Sequence, residues 1–137
     1  MTTPLAAALL LAQEAGIPVT PDEPEHYTDW GLARRLVALH GQDLRYCGPW
    51  KKWLTWTGQR WAPDDTLEVV GWCKDTIRGI YADALVSYAA AAEAAMNNDK
   101  ATQDAAKAQA DALYGWAVKS EATARIAAAI DSARSEP

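Results

Sequence analysis

The sequence predicts a mainly α protein carrying a small antiparallel sheet, an α+β arrangement with a helical bundle in its C-terminal half. Three observations predict it. Apolar residues recur at helical spacing over most of the chain. Alanine supplies 21 of the 52 residues from 82 to 133, and alanine has the highest helix propensity. The period changes to strict alternation only across residues 44–61, where turn residues punctuate the pattern.

The elements follow in order. Thr3 and Pro4 suit a helix start, and Leu5, Ala8, Leu9, Leu11 and Ala12 make one stripe, closed by Gly16. No Lys or Arg precedes this apolar run, so it reads as an amphipathic helix and not as a secretion signal. Residues 20–25 hold two of the local prolines and three acids, a linker composition, and Pro18 stands just before them. Thr28 caps the next helix and Asp29 complements its positive end. Leu32, Leu36 and Leu39 form its inward stripe, and His40-Gly41 stops it.

Leu44 to Cys47 alternates, Gly48-Pro49 turns, Lys52 to Trp56 alternates again, and Thr57-Gly58-Gln59 turns before Arg60-Trp61. This pattern predicts a two- or three-stranded sheet. Trp50, Lys52, Leu54 and Trp56 share one face, with Lys51, Trp53 and Thr55 on the other. Leu54 and Trp56 are expected in the core. After Pro63, Asp64 or Asp65 caps a long helix reaching about Met96, with Val69, Cys73, Ile77, Ile80, Ala84 and Leu85 in its stripe. Asn97-Asn98-Asp99 breaks it, a helix from Lys100 or Ala101 runs to Val118, and Ser120 is expected to cap a last one bearing Ile126 and Ile130. The chain thus divides into 1–27, a lead helix and acidic linker, and 28–137, the main domain. Within the latter, 28–62 is a helix plus a Trp-rich hairpin and 63–137 is helical.

Composition excludes several classes. No run approaches the roughly 18 apolar residues that span a bilayer, so no membrane association is expected. Two cysteines, Cys47 and Cys73, do not make a disulfide scaffold and are expected as reduced thiols in a cytoplasmic protein. No Gly-rich loop leads to Lys-Ser/Thr, so no phosphate-binding loop is present. His26, His40 and the two cysteines lack metal-ligand spacing, and no serine sits in a nucleophile motif. The expectation is a protein without catalytic residues, metal or cofactor.

The one anomaly is local. The net charge is −5, yet residues 28–62 hold six bases against two acids, and residues 1–27 hold four acids and no base. Five of the seven tryptophans lie in that same basic block, and there is no Phe. The plain reading makes the indoles the core of a small sheet. The functional one makes Arg45, Lys51, Lys52 and Arg60 phosphate contacts and Trp53 a base-stacking ring, giving weak binding that favours single-stranded DNA.

Thr28-Asp29-Trp30-Gly31, Arg34-Arg35-Leu36-Val37, His40-Gly41-Gln42-Asp43-Leu44-Arg45-Tyr46, Lys52-Trp53-Leu54-Thr55-Trp56-Thr57-Gly58 and Arg60-Trp61 resemble the helicase-associated N-terminal domain of phage and plasmid primase-helicases of the poxvirus type. Trp116-Ala117-Val118-Lys119-Ser120, followed by Arg125-Ile126, resembles a later segment of that domain. The resemblance covers about residues 28–135. The Trp-rich hairpin is its specific part, and the alanine-rich helices are not specific. Residues 5–19 are similar, more weakly, to the opening of a primase-polymerase domain.

The resemblance implies an accessory role in DNA replication, positioning DNA or assisting assembly of motor domains. The sequence holds neither the polymerase acids nor the ATPase motor of such enzymes, so their activities are not expected here. The implied partners are a replicative helicase or primase, or another replication protein. A homo-oligomer through the Ala-rich helices is a further expectation. The alternative is a stand-alone phage or prophage protein that binds or interferes with replication proteins. Both a remnant of a larger enzyme and a natural small protein fit the sequence.

Overall fold

The computed structural model describes residues 27–136, and the expected lead helix and acidic linker lie outside them. The described residues form four helices and one three-stranded antiparallel sheet, an α+β fold with a helical C-terminal half. They divide into two compact units, one built from residues 27–77 with 119–136 and the other from Arg78–Val118.

In the first unit, α1 (Asp29–His40) starts where the sequence places it. The Thr28 hydroxyl accepts the Gly31 N–H at 3.1 Å and Asp29 lies in the first turn. Its buried face is Gly31, Leu32, Ala33 and Leu36. Leu39, expected inside, is exposed. The helix α4 (Thr123–Ala133) packs against α1 through Ile126, Ala129 and Ala133. Polar contacts flank this seam. Arg125 pairs with Asp29 at 3.2 Å, and the Trp30 indole N–H donates to Glu136 at 2.6 Å.

The sheet is a meander of β1 (Leu44–Cys47), β2 (Lys52–Trp56) and β3 (Trp61–Pro63), with β2 in the middle. Leu44 pairs with Thr55 and Tyr46 with Trp53, while Arg45 pairs with Leu54 and Trp56 with Trp61. The alternation is as expected, but the opposite face is covered. Leu44 and Thr55 are buried, Leu54 is half-buried and Trp56 is 41% exposed. The physical reason lies in the register, which puts Arg45 and Lys52 on the Leu54–Trp56 face. Burying that face would desolvate two cations, whereas the other face carries only Leu, Tyr, Trp, Thr and Ala.

Pro63 ends β3 instead of opening the long helix, so α2 (Glu68–Met96) begins later than expected. Asp64 still caps it, from farther upstream. Its two carboxylate oxygens accept the Glu68 and Val69 N–H groups at 2.8 and 2.9 Å. The Cys73 side chain is fully buried, and burial pushes its thiol up to about 11, so it stays protonated.

His40, at the end of α1, lies flat against Trp72, with ring centroids 5.1 Å apart and planes within 4°. Burial lowers its pKa below the ordinary histidine value, against the opposing pull of the Asp75 and Asp43 carboxylates. The unfolded chain therefore takes up a proton here more readily than the folded one. This contribution to stability is full above about pH 6.5, the unfolded histidine value, and is lost as pH falls toward the folded value. Urea unfolding at pH 7.5 and 5.5 should show His40→Gln losing less stability over that interval than the wild type. Equal losses would show that His40 does not drive the acid side.

In the second unit, residues 78–96 of α2 turn back into α3 (Lys100–Ser120). The turn has a defined chemistry. Asn98 is left-handed at φ 54°, its N–H bonds the Ala95 carbonyl, and the Asp99 N–H bonds the Ala94 carbonyl at 2.9 Å. Asp99 then caps α3 by accepting the Thr102 N–H at 3.2 Å, and hydrogen bonding from the Thr102 hydroxyl first, and from this N–H second, holds its carboxyl below the usual range. Ile80, Ala84, Ser87, Ala91 and Ala94 are buried on α2, and Ala110, Leu113 and Ala117 on α3. Both sets advance by alternating steps of three and four, the spacing of a packed helical seam. Ser87 donates to the Ala106 carbonyl at 2.9 Å, and Tyr81 meets Tyr114 edge to face. Leu85, expected in the stripe, is exposed. Ser120 is also not the expected cap. It ends α3 and is buried, while Ala122 stands at the start of α4 without a side-chain cap.

Candidate nucleic-acid interface

The uncovered face of the sheet gathers Arg45, Lys52, Leu54, Trp56 and Trp61. Two turns present the remaining bases beside it. The first is closed by the Lys51 N–H to the Gly48 carbonyl at 3.1 Å, with Lys51 itself left-handed at φ 51°. In the second, Gly58 takes φ 97° and the Thr57 N–H donates to the Arg60 carbonyl at 3.0 Å. The Thr57 hydroxyl accepts the Gln59 and Arg60 N–H groups at 3.4 and 3.2 Å. That turn sets Arg60 immediately before Trp61. Residues 44–62 contain four bases and no acid, so no carboxylate from this stretch neutralises the face.

Arg45 has a second task. Its Nη1 donates to the carbonyls of Gly41 and Leu44, at 2.5 and 2.6 Å, and its guanidinium carbon lies 4.9 Å from the Trp61 ring centroid. Trp61 in turn meets Trp56 edge to face, with centroids 5.5 Å apart at 61°. Lys51, Lys52 and Arg60 are exposed.

Trp53, expected to be the stacking ring, is on the packed face. It is half-buried, edge to face with Tyr46 at 5.3 Å. With Tyr46, Val37, Ala133 and Arg134 it lines a cavity of about 450 Å³. Arg134 lies over the Tyr46 ring at 4.7 Å and pairs with Asp131 at 3.1 Å. The strand register therefore puts Arg45 and Lys52 on one face, with Lys51 and Arg60 on its bordering turns and Trp53 on the other face, while Arg45 also borders the cavity that Trp53 lines. The exposed indoles of the uncovered face, Trp56 and Trp61, were missed by sequence reasoning. The signal was their shared face with Lys52.

Among the described residues, no three His, Cys, Asp or Glu side chains gather as a metal site requires. No described helix is long and apolar enough to cross a membrane.

A helical domain with one small, externally basic and aromatic sheet is the class that these features define. The chain belongs to the family described as D5 N terminal like, which matches residues 33–136. That family is the N-terminal domain of phage and plasmid primase-helicases of the D5 type, which makes this a replication-associated domain. No curated protein and no solved structure matches the chain significantly.

Proposed function

We propose that the chain is a non-catalytic accessory domain of DNA replication in the cytoplasm, one that contacts single-stranded DNA and so positions it, or assists motor assembly. The observation that carries this reading is the uncovered sheet face, where Arg45 and Lys52 share a side with the exposed indoles Trp56 and Trp61 and the strands and turns of residues 44–62 hold four bases and no acid. Lys52 opens the central strand, paired with Cys47 of β1 and beyond the end of β3. Lys51, Lys52 and Arg60 are the phosphate contacts, and the overall charge of −5 keeps long-range attraction poor. Binding is therefore weak and sensitive to salt.

Titration of a labelled oligonucleotide at low and moderate salt tests it. Lys51→Ala with Lys52→Ala should lower affinity at low salt and reduce the salt slope by about 1.4, or roughly 0.7 per phosphate contact on single strands. The double variant should melt as the wild type does, because both side chains are exposed. Absence of binding at either salt overturns the nucleic-acid reading. The second reading, a module that binds or blocks a replication protein or a second copy, draws on the exposed Leu85, Tyr114 and Val118 of the helical unit. A stoichiometric complex with a replication protein, formed without DNA, would favour it.

A further inference from the structure

We infer that the Trp56–Trp61 pair is a two-plane stacking platform for unpaired bases. The inference rests on the single-strand reading above and names its contact surface.

Tryptophan carries some of the largest apolar area available to a chain, about 150–250 Å². A small protein without Phe gains most by burying it. Yet Trp56 and Trp61 are 41% and 37% exposed, side by side on adjacent strands. One cation, Arg45, lies against the pair, whereas the indole on the opposite face, Trp53, is half-buried against Tyr46. The exposed pair is also held still. Arg45 is anchored by two backbone carbonyls and lies over Trp61, and Trp61 braces Trp56 edge to face. A ring fixed before binding loses little rotamer freedom when a ligand arrives.

The angle between the rings selects the ligand. At 61° they cannot receive two bases in one continuous stack. Successive bases must splay apart to lie on them, which a single strand does and a duplex does not. Charge selects it too. Arg45 lies over Trp61 and Arg60 precedes it in the adjoining turn, while Lys51 and Lys52 stand at the far end of β2 on a path that a polyanion leaving the rings could follow.

The test measures binding of labelled oligo-dT, and of a duplex of equal length, to the full chain at low salt. Trp56→Ala and Trp61→Ala should each weaken oligo-dT binding by about 5- to 150-fold, as loss of one stacked base does. The salt slope should stay unchanged, because no phosphate contact is removed. Phe at either position should restore most of the affinity. Leu keeps the packing volume but has no π-face, so Trp56→Leu and Trp61→Leu should bind as weakly as the Ala variants. This comparison holds even where an Ala variant folds poorly. Wild-type affinity in both Leu variants overturns the platform and leaves the single-strand reading standing. Equal losses toward oligo-dT and duplex also overturn it, since they show no preference for unpaired bases. No binding of oligo-dT by the wild type overturns both.

Discussion

Leu36→Ala is expected to lower stability by about 2–5 kcal/mol, the range for a buried leucine cut back to alanine. Leu36 has no exposed surface and sits mid-helix on the buried face of α1, the helix that packs on α4. Its loss removes transfer free energy and leaves a cavity that helices pinned by the Arg125–Asp29 and Trp30–Glu136 contacts collapse into only partly. A domain is stable by about 5–15 kcal/mol in total, so a large share would be gone. Thermal melting should show the midpoint falling by roughly 10 °C or more. Trp56→Ala is the control. It would cost about 3–5 kcal/mol if the indole were in the core. With the ring 41% exposed, its loss combines partial burial with the edge-to-face pair with Trp61, about 1–2 kcal/mol. Equal drops in melting temperature for the two variants would put the covered side of the sheet back where alternation alone suggested.

That contrast shows what the sequence carries and what it does not. Local signals were fully legible. The Thr28 cap, the left-handed Gly58, the break at Asn97-Asn98-Asp99 and the strand pairing are each decided by a few neighbouring residues. Alternation also sorted Trp53 from Trp56 correctly, because a strand has only two faces. It does not say which face is covered, and size favoured the wrong one. Lys52 beside Leu54 and Trp56 was the stronger indicator, since a buried unpaired ammonium costs more than an exposed indole. Ser120 failed as a cap for a related reason. Its small side chain suits the buried face at the end of α3, and burial there removes it from the α4 start. Leu85 was lost to a similar tertiary choice. Helical spacing allows several stripes in an alanine-rich helix, because alanine fits inside or outside. The basic residues of the site were legible as charge. The pairing of Trp61 with Trp56, and the place of Arg45 over Trp61, required the register and the side-chain geometry.

The helical unit depends on the smallness of its buried residues, and Ala110→Leu is expected to expose that. Ala110 has no exposed surface, on a face it shares with Leu113 and Ala117. In water leucine buries more apolar area than alanine, and in a helix its propensity is nearly as good. Both local effects predict a neutral or stabilising change. Packing predicts the reverse. A close-packed interior has no void for the added carbons, and the Ser87–Ala106 hydrogen bond fixes how near α2 and α3 lie. Inserting the larger side chain must push the helices apart or force a strained rotamer, at about 1–3 kcal/mol. Separation would also stretch the Tyr88–Asp111 hydrogen bond, now 2.5 Å, and the Tyr81–Tyr114 contact. Urea unfolding with near-ultraviolet circular dichroism, which reports tyrosine packing, reads both consequences. The expected result is a lower midpoint with a weakened tyrosine signal. Gln109→Leu, on the adjacent exposed position, should leave both within about 0.5 kcal/mol of wild type. A midpoint raised by Ala110→Leu would mean that the seam has room to spare, and that alanine is there for helix propensity alone.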